Sequence, residues 1–497
     1  MPRKIINTTD FAGGNDGAIS KLNSNFAELY TNGGGSGSGG SSNILNAKDY
    51  GAVGDWNSDD TEALEQLFDD AASTHAAIYI PAGTYKIRRP LPLKSGMEIF
   101  GDGEATIIKK VPAVWTTTTS AISENDRKIY VNSTNGFAVN DHIFISNSSL
   151  VTTNPQQTSA RNCSYGVVES IGEETVSNTT KKYIVFKSAY ERLDSNNNPI
   201  KVGAVKAYNQ GVYVSRSFPI FRSWGMYDEC VGVYIHDICL DGNRQNGEPM
   251  EWTNACVHFD AYQATIHSTS GITYDKHSYN HIIERCKLIN SSFDAISDQA
   301  EGNLNVNCCV IENPRMHGIH CGTTFSNATI CGNTMDGDSS SNYKTLGAGV
   351  FFCQNVTKLI VSSNHISKFN KGVSDQEYGS VGKNSVIVGN IFTNIQSHVF
   401  DFSFAFSSAS RGGGLVICNN YIEGLKGSLF FGDYLDNVVI SNNMVNSITT
   451  KPTNLIAITQ SDNVIINGNM HPSNTTFDVA VLSTDTTNIK VINNSWQ

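Results

Sequence analysis

One pattern recurs through the C-terminal half of the chain and constrains its fold more than any other feature. An apolar residue is followed by two variable residues and then a marker, Cys in the first two copies and Asn in the rest. It reads Ile283-Glu-Arg-Cys286, Val306-Asn-Cys-Cys309, Ile330-Cys-Gly-Asn333, Val361-Ser-Ser-Asn364, Ile387-Val-Gly-Asn390, Ile417-Cys-Asn-Asn420, Ile440-Ser-Asn-Asn443, Ile466-Asn-Gly-Asn469 and Val491-Ile-Asn-Asn494. The markers lie 23 to 31 residues apart. A period of that length means a solenoid, in which each unit buries its apolar face only by stacking on the next. The periods hold short β-prone runs and no helical periodicity, so the predicted architecture is all-β, a parallel β-helix. Val233-Tyr-Ile-His-Asp-Ile238 fits an earlier rung, placed two periods before Cys286. About eleven rungs at ~4.8 Å make a rod roughly 50 Å tall.

The markers have a physical role. Equivalent positions stack between rungs, and an inward Asn can hydrogen-bond to the next Asn and to turn backbone, pairing polar groups that burial would strand. Cys fills the same space as a small, soft apolar residue. Cys239, Cys256, Cys321 and Cys331 also fall in strand runs and are expected in the core. The 11 cysteines contain no CxxC pair, so neither a zinc site nor a disulfide framework is indicated, and no cofactor or metal is expected.

The N-terminal half divides differently. In Asp16–Tyr30, Ile19, Leu22, Phe26 and Leu29 form an a/d stripe of about two heptads, too short to be stable alone. Residues 33–42 are nearly all Gly and Ser, a flexible linker, so residues 1–32 are expected to dock onto something other than the main body. Residues 43–110 hold a capping helix, with Asp59 and Asp60 as N-cap candidates and Ala63, Leu64, Leu67, Phe68 and Ala71 as its apolar face. Short strands and the turns Pro81-Ala-Gly83 and Gly101-Asp-Gly103 follow. Residues 111–223 read as a small β insertion without a repeat, and residues 224–497 as the main β-helix. Composition excludes several classes. With 39% hydrophobic and 16% charged residues the chain is not disordered. A net charge of −11 argues against nucleic-acid binding, no apolar run of about 18 residues offers a membrane span, and no secretory signal is visible.

At this point the chain resembles a known group. Tyr50-Gly-Ala-Val-Gly-Asp55, Asp59-Asp-Thr-Glu-Ala63, Tyr79-Ile-Pro-Ala-Gly-Thr-Tyr85 and Gly101-Asp-Gly103 are similar to the opening signature of pectate-lyase-like β-helix proteins. That superfamily includes polygalacturonases, alginate epimerases and many bacteriophage tailspikes. The resemblance implies a right-handed parallel β-helix whose N-terminal helix plugs the first rung. Lys21–Tyr30 with the Gly/Ser linker resembles the virion-attachment end of a phage tail protein. The implied protein is a homotrimeric tailspike, made in the host cytoplasm and carried on the virion. Its N-terminus would meet the tail or baseplate, and it would depolymerise capsular polysaccharide or lipopolysaccharide O-antigen at the host surface.

In polygalacturonase-like rungs the strand after each marker turn carries the active groups. Here those strands read Cys256–Asp260, Ala295–Asp298, Gly318–Cys321, Gly349–Phe352 and Gly372–Asp375. Alternation puts Val257, Ile296, Ile319, Val350 and Val373 inward and His258, Asp260, Ser297, His320, Phe351 and Ser374 outward. Asp298 and Asp375 are expected at the groove edge, because a lone buried carboxylate is costly. Phe293-Asp-Ala-Ile-Ser-Asp298 is similar to the family's Asp-Asp-Cys-Ile-Ala-Ile rung, and His317-Gly-Ile-His320 to its Gly-His-Gly-Ile. The resemblance thus implies functional roles for Asp294 and His317. Phe293 replaces the first Asp, and Thr253-Asn-Ala255 replaces the family's Asn-Thr-Asp, so the acid/base set is incomplete. Hydrolysis needs two carboxylates, about 5–5.5 Å apart if retaining and about 6.5–9.5 Å if inverting. The catalytic candidates are Asp294, Asp298, Asp260 and His317; the substrate-binding candidates are His258, His320, Phe351 and Lys371. Phe351, Phe400 and Phe430 are expected on exposed strand positions, stacking on sugars or on neighbouring chains. Asp294 and Asp298 also read as turn residues, His317 as a hydrogen-bonded surface turn, and His258 and His320 as a solvated face. Lys368, Lys371 and Tyr378 keep a polysaccharide lyase open, and the missing family Asp residues keep a non-enzymatic receptor-binding fibre open.

Overall fold

The computed structural model describes residues 43–146, 163–188, 192–193, 199–200, 207–223, 229–251, 254–259, 278–299, 302–322, 326–338, 345–353, 356–376, 383–402, 412–450, 452–471, 479–481 and 487–494. The docking segment 1–32, the linker and Asp260 lie outside them. Among these residues the strands run parallel from rung to rung. A 22-stranded sheet covers the two faces on either side of the marker turns, and an 11-stranded sheet covers a third face. Ile282–Glu284 and Lys287–Ile289 show the logic: one marker turn separates them, and each pairs in register with the next rung, Ile282 with Asn305 and Leu288 with Ile311. The residue before each marker takes a left-handed conformation, as at Arg285 (φ 51°), Asn419 (φ 56°) and Gly468 (φ 65°).

The markers stack as expected. Asn420 donates its amide to Ile387 O (3.1 Å) and to Asn443 Oδ1 (2.9 Å), while its own Oδ1 accepts from the Asn390 backbone (2.9 Å) and amide (3.0 Å). The ladder runs from Asn333 to Asn494, and Asn333 caps Cys309 through its backbone N–H at 2.8 Å. Cys239, Cys256 and Cys321 are buried, but Cys331 is only half-buried, because it occupies an outward column between Asn307 and Ser362.

The family-like N-terminal motifs turn out to be structural locks. The helix Thr61–Thr74 buries Leu64, Leu67, Phe68 and Ala71 over the first rung. Asp60 precedes it but makes no side-chain cap; Asp59 Oδ1 accepts from Thr61 N at 3.1 Å instead. The Asp60 carboxylate takes the backbone N–H of Val53 (2.6 Å) and of Lys86 (3.1 Å), tying the Gly-rich turn to the neighbouring strand. Gly54 (φ 67°) must be glycine twice over, since a Cβ there would sit 2.8 Å from the Tyr85 ring. Asp102 accepts from Ala82 N (2.8 Å) and Tyr79 Oη (3.0 Å), joining the Pro-Ala-Gly turn to the Gly-Asp-Gly turn.

The rung count differs from the sequence reading at one place. The strand Tyr234–Asp241 pairs directly with Ile282–Glu284 and Lys287–Ile289, so it lies one rung before Cys286 and not two. The long excursion between them left the spacing ambiguous. The same strand also pairs with Glu98–Lys110, so the chain between those two strands leaves the rod and returns. That excursion contains a separate antiparallel sheet with its own core of Ile129, Ile143, Ile145, Ile184, Phe186 and Val214. A bidentate ion pair fastens it to the rod: Arg88 meets fully buried Asp141 at 2.5 and 2.8 Å. Its Tyr165 ring lies 4.5 Å from the Arg222 guanidinium on the 11-stranded sheet.

Candidate active site

Register along the 11-stranded sheet defines one outward column: Arg222, His258, Ser297, His320, Phe351, Ser374, Asp401, Phe431 and Ala457. The neighbouring inward column holds Val257, Ile296, Ile319, Val350 and Val373, all fully buried as alternation predicts. Phe400 and Phe430 belong to that inward column and to the core, which corrects their placement on exposed positions. Phe351 does face outward but is 4% exposed, because two histidine rings cover it.

Asp298 and Asp375 are also corrected. Their strands, Ile296–Asp298 and Lys371–Gln376, do not end early, so period two carries both to the inward side, in line with Phe259, Cys321, Phe352 and Phe402. Neither is exposed. His258 keeps its outward register but is fully buried and not solvated.

Asp294 and His320 come together on adjacent rungs. Asp294 sits in the turn before its strand, fully buried; its Oδ1 accepts the His317 backbone N–H at 3.0 Å, and its Oδ2 accepts from His320 Nδ1 at 2.8 Å. The carboxylate therefore fixes the His320 proton on Nδ1 and leaves Nε2 beside the Gln299 amide nitrogen at 3.3 Å. Burial pushes the Asp294 carboxyl up from its ordinary value, and His320 opposes that shift. His317 plays another part. Its Nδ1 accepts the Ala348 N–H at 3.0 Å, and its ring stacks on Phe351 at 3.9 Å. Burial, then the positive neighbours His320 and Lys371, hold it well below the usual imidazole range, so it stays neutral. It supports the site, and His320, 13% exposed at the side chain, is the group that can move a proton.

Lys371 lies on the same face with its ammonium 2.6 Å from Asp401, whose strand is the next rung. His398, on the turn before that strand, stacks on Phe431 at 5.3 Å. Asp401, His398 and Gln299 are the members that sequence reasoning missed. Asp401 could have been found by extending the outward column one rung past Ser374; for Gln299 and His398 no pattern pointed to them. Among the described residues no group of three or more His, Cys, Asp or Glu is arranged to hold a metal ion.

Burying neutral histidines has a consequence for stability. Desolvation brings His142 and His281 to about 3 and His317 well below its ordinary value. Their unfolded value is ~6.5. Below that pH the unfolded chain binds protons that the fold refuses, so stability present above pH ~6.5 is lost as pH falls, at about 1.4 kcal/mol per histidine per unit. Asp294, with its raised value, acts in the opposite direction. The urea midpoint is expected to fall steadily between pH 7 and 5; a flat profile would contradict the burial.

The chain belongs to the rhamnogalacturonase A/epimerase, pectate lyase-like family, whose model matches residues 44–292. Among curated proteins it is 34% identical over 107 residues to mannuronan C5-epimerase AlgE1 of Azotobacter vinelandii, covering 20% of this chain and 7% of that protein. It is 29% identical over 157 residues to plasmin and fibronectin-binding protein A of Streptococcus pneumoniae, covering 30% and 21%. The chain thus spans less than a quarter of the length of these relatives. Among solved structures, the Dettilon tailspike protein gp208 superposes with a TM-score of 0.52 at 10% identity, over 91% of this chain and 68% of that one. DFA-IIIase from Arthrobacter chlorophenolicus A6, in complex with GF2 and without its lid, gives 0.51 at 11% identity, over 91% and 94%. At such identities these two show the fold. The chain has a pectate-lyase-like β-helix fold, similar in structure to the Dettilon tailspike and over part of its sequence to a mannuronan C5-epimerase.

Proposed function

We propose that this protein is a homotrimeric phage tailspike that binds and cleaves a bacterial surface polysaccharide, capsule or O-antigen, along the outer face of the 11-stranded sheet. The observation that carries the enzymatic reading is the His320–Asp294 pair: a buried carboxylate fixing the tautomer of an imidazole that keeps a small exposed edge has the build of a proton-transfer device. A purely adhesive rod has no use for it. The tailspike reading rests on the superposition with gp208, together with the N-terminal segment and linker. Residues 1–42 would hold the protein on the virion, and deleting them is expected to abolish attachment while leaving cleavage intact. Lost cleavage would overturn that assignment.

Endo-glycosidic hydrolysis by paired carboxylates narrows to one pairing. Asp298 faces the core, and Asp401 stands four rungs from the Asp294 strand, about 19 Å along the rod, beyond both working separations. Asp294 would need Asp260 as its partner. A second reading, proton removal beside a uronate carboxylate as in a lyase or epimerase, is favoured by His320 and Lys371 sharing one face, a base and a cation. The decisive experiment incubates the protein with capsule or lipopolysaccharide from susceptible cells and weighs the fragments. Hydrolysis adds one water per cut. A lyase adds none and leaves an unsaturated, ultraviolet-absorbing end. Binding without any fragments would sink the depolymerase reading.

A further inference from the structure

Six of the nine large hydrophobic residues exposed among the described residues lie in strands of the 22-stranded sheet, and a seventh, Met470, bridges to one of them, Met444. In the lower half of the rod five of these seven lie on two flanks around the marker turns. On one flank, register aligns Ile360, Val386, Val416, Val439 and Ile465, five successive outward positions without a charge or a hydroxyl. Ile360 is 45% exposed and Ile465 37%. On the other flank the outward column runs Ile391, Tyr421, Met444 and Met470, with Ile391, Met444 and Met470 at 45%, 40% and 47%. Higher up, the first column turns polar at Asn305 and Thr329.

We infer that this two-flanked corner is the surface by which copies of this chain pack side by side, in parallel, with the first flank of one copy against the second flank of the next. The inference rests on the homotrimer reading above and names its interface. Two features of the strip select another copy of the same chain as the occupant. The strip is straight and repeats every ~4.8 Å along the rod, so the surface that matches it rung for rung is another β-helix in parallel register. Its area also fits a ring better than a pair. Five rungs stand about 19 Å tall from first to last, and one such flank covers only a few hundred Å², below the roughly 800 Å² per partner of a standard stable interface. A chain with two different apolar flanks makes two such heterologous contacts, which form a ring when the rotation between copies closes. Exposed apolar patches of this size mark association surfaces. The 11-stranded sheet carrying Asp294 and His320 is a different face of the rod and stays open to polymer.

The test uses the full chain and light scattering. The wild type is expected at three times the chain mass, and Ile360→Asp/Ile465→Asp at the monomer mass with its β-type circular dichroism retained. A wild-type trimer with a trimeric, folded double variant overturns the surface and leaves the trimer reading standing. A monomeric wild type overturns both. A two-chain wild type overturns the ring. Should the double variant fail to fold, the double substitution Val416→Cys/Tyr421→Cys gives a second answer, because it puts one thiol on each flank of the same rung. Under mild oxidation it is expected to give covalently linked chains that the wild type, with its native cysteines, does not. An uncrosslinked product from a trimeric protein overturns the assignment.

Discussion

Asp294→Asn is expected to lower polysaccharide cleavage at least about 100-fold, the scale on which enzymes lose a general acid or base. The substitution keeps the shape of the side chain, so the fold survives. It changes the hydrogen-bond pattern, because Asp294 accepts on both oxygens, from His317 N–H and from His320 Nδ1. An asparagine can accept from one of these and must point its own N–H₂ at the other. His320 then turns or moves its proton to Nε2, where it can no longer act as a base. Asp294 is in this sense a positioning residue for His320. His320→Gln should cost a similar factor, and the double variant little more than either single one, because residues that act as a unit are non-additive. Initial cleavage rates on purified polysaccharide, with thermal melts as the folding control, decide it. Wild-type rates in both single variants would place the active site elsewhere.

Asn420→Ala is expected to be among the most destabilising single changes in the rod. It leaves the Ile387 carbonyl and both the backbone and amide N–H groups of Asn390 without the partners they have in a buried column. Each stranded buried group costs ~1–3 kcal/mol, so a loss of at least about 3 kcal/mol is expected against the ~5–15 kcal/mol by which domains are usually stable. The damage should not stay local, since in a stacked-rung protein each rung is held by its two neighbours. Equilibrium urea unfolding followed by tryptophan fluorescence and circular dichroism should show a lower midpoint. A midpoint within about 0.2 M of wild type, equivalent to well under 1 kcal/mol at the usual slopes, would mean that the Asn ladder contributes little.

How much of this was legible follows from what each residue depends on. The β-helix, the Asn ladder and the inward set from Val257 to Val373 were readable from sequence, because solenoid rungs repeat a local pattern and a strand alternates with a period of two. Asp294 and the His317-Gly-Ile-His320 rung were found through their resemblance to polygalacturonase active-site rungs. The misplacements arose where the local rule needed a boundary. Asp298 and Asp375 were turned outward on the argument that a lone carboxylate avoids burial, yet their strands include them and carry them in. Phe400 was assigned the wrong parity for the same reason. Other features depended on contacts between rungs. Tyr234–Asp241 proved to be one rung from Cys286 because hydrogen bonding, and not residue count, defines the neighbour. His258 and Phe351 lost their solvent, Phe351 to the His317 and His320 rings laid over it. The His320–Asp294 bond and the Lys371–Asp401 pair join residues 26 and 30 positions apart, across turns of unequal length. A sequence with rungs of 23 to 31 residues states which side chains each rung carries. Which of them meet is decided only when the turns between markers close and the strands take their register.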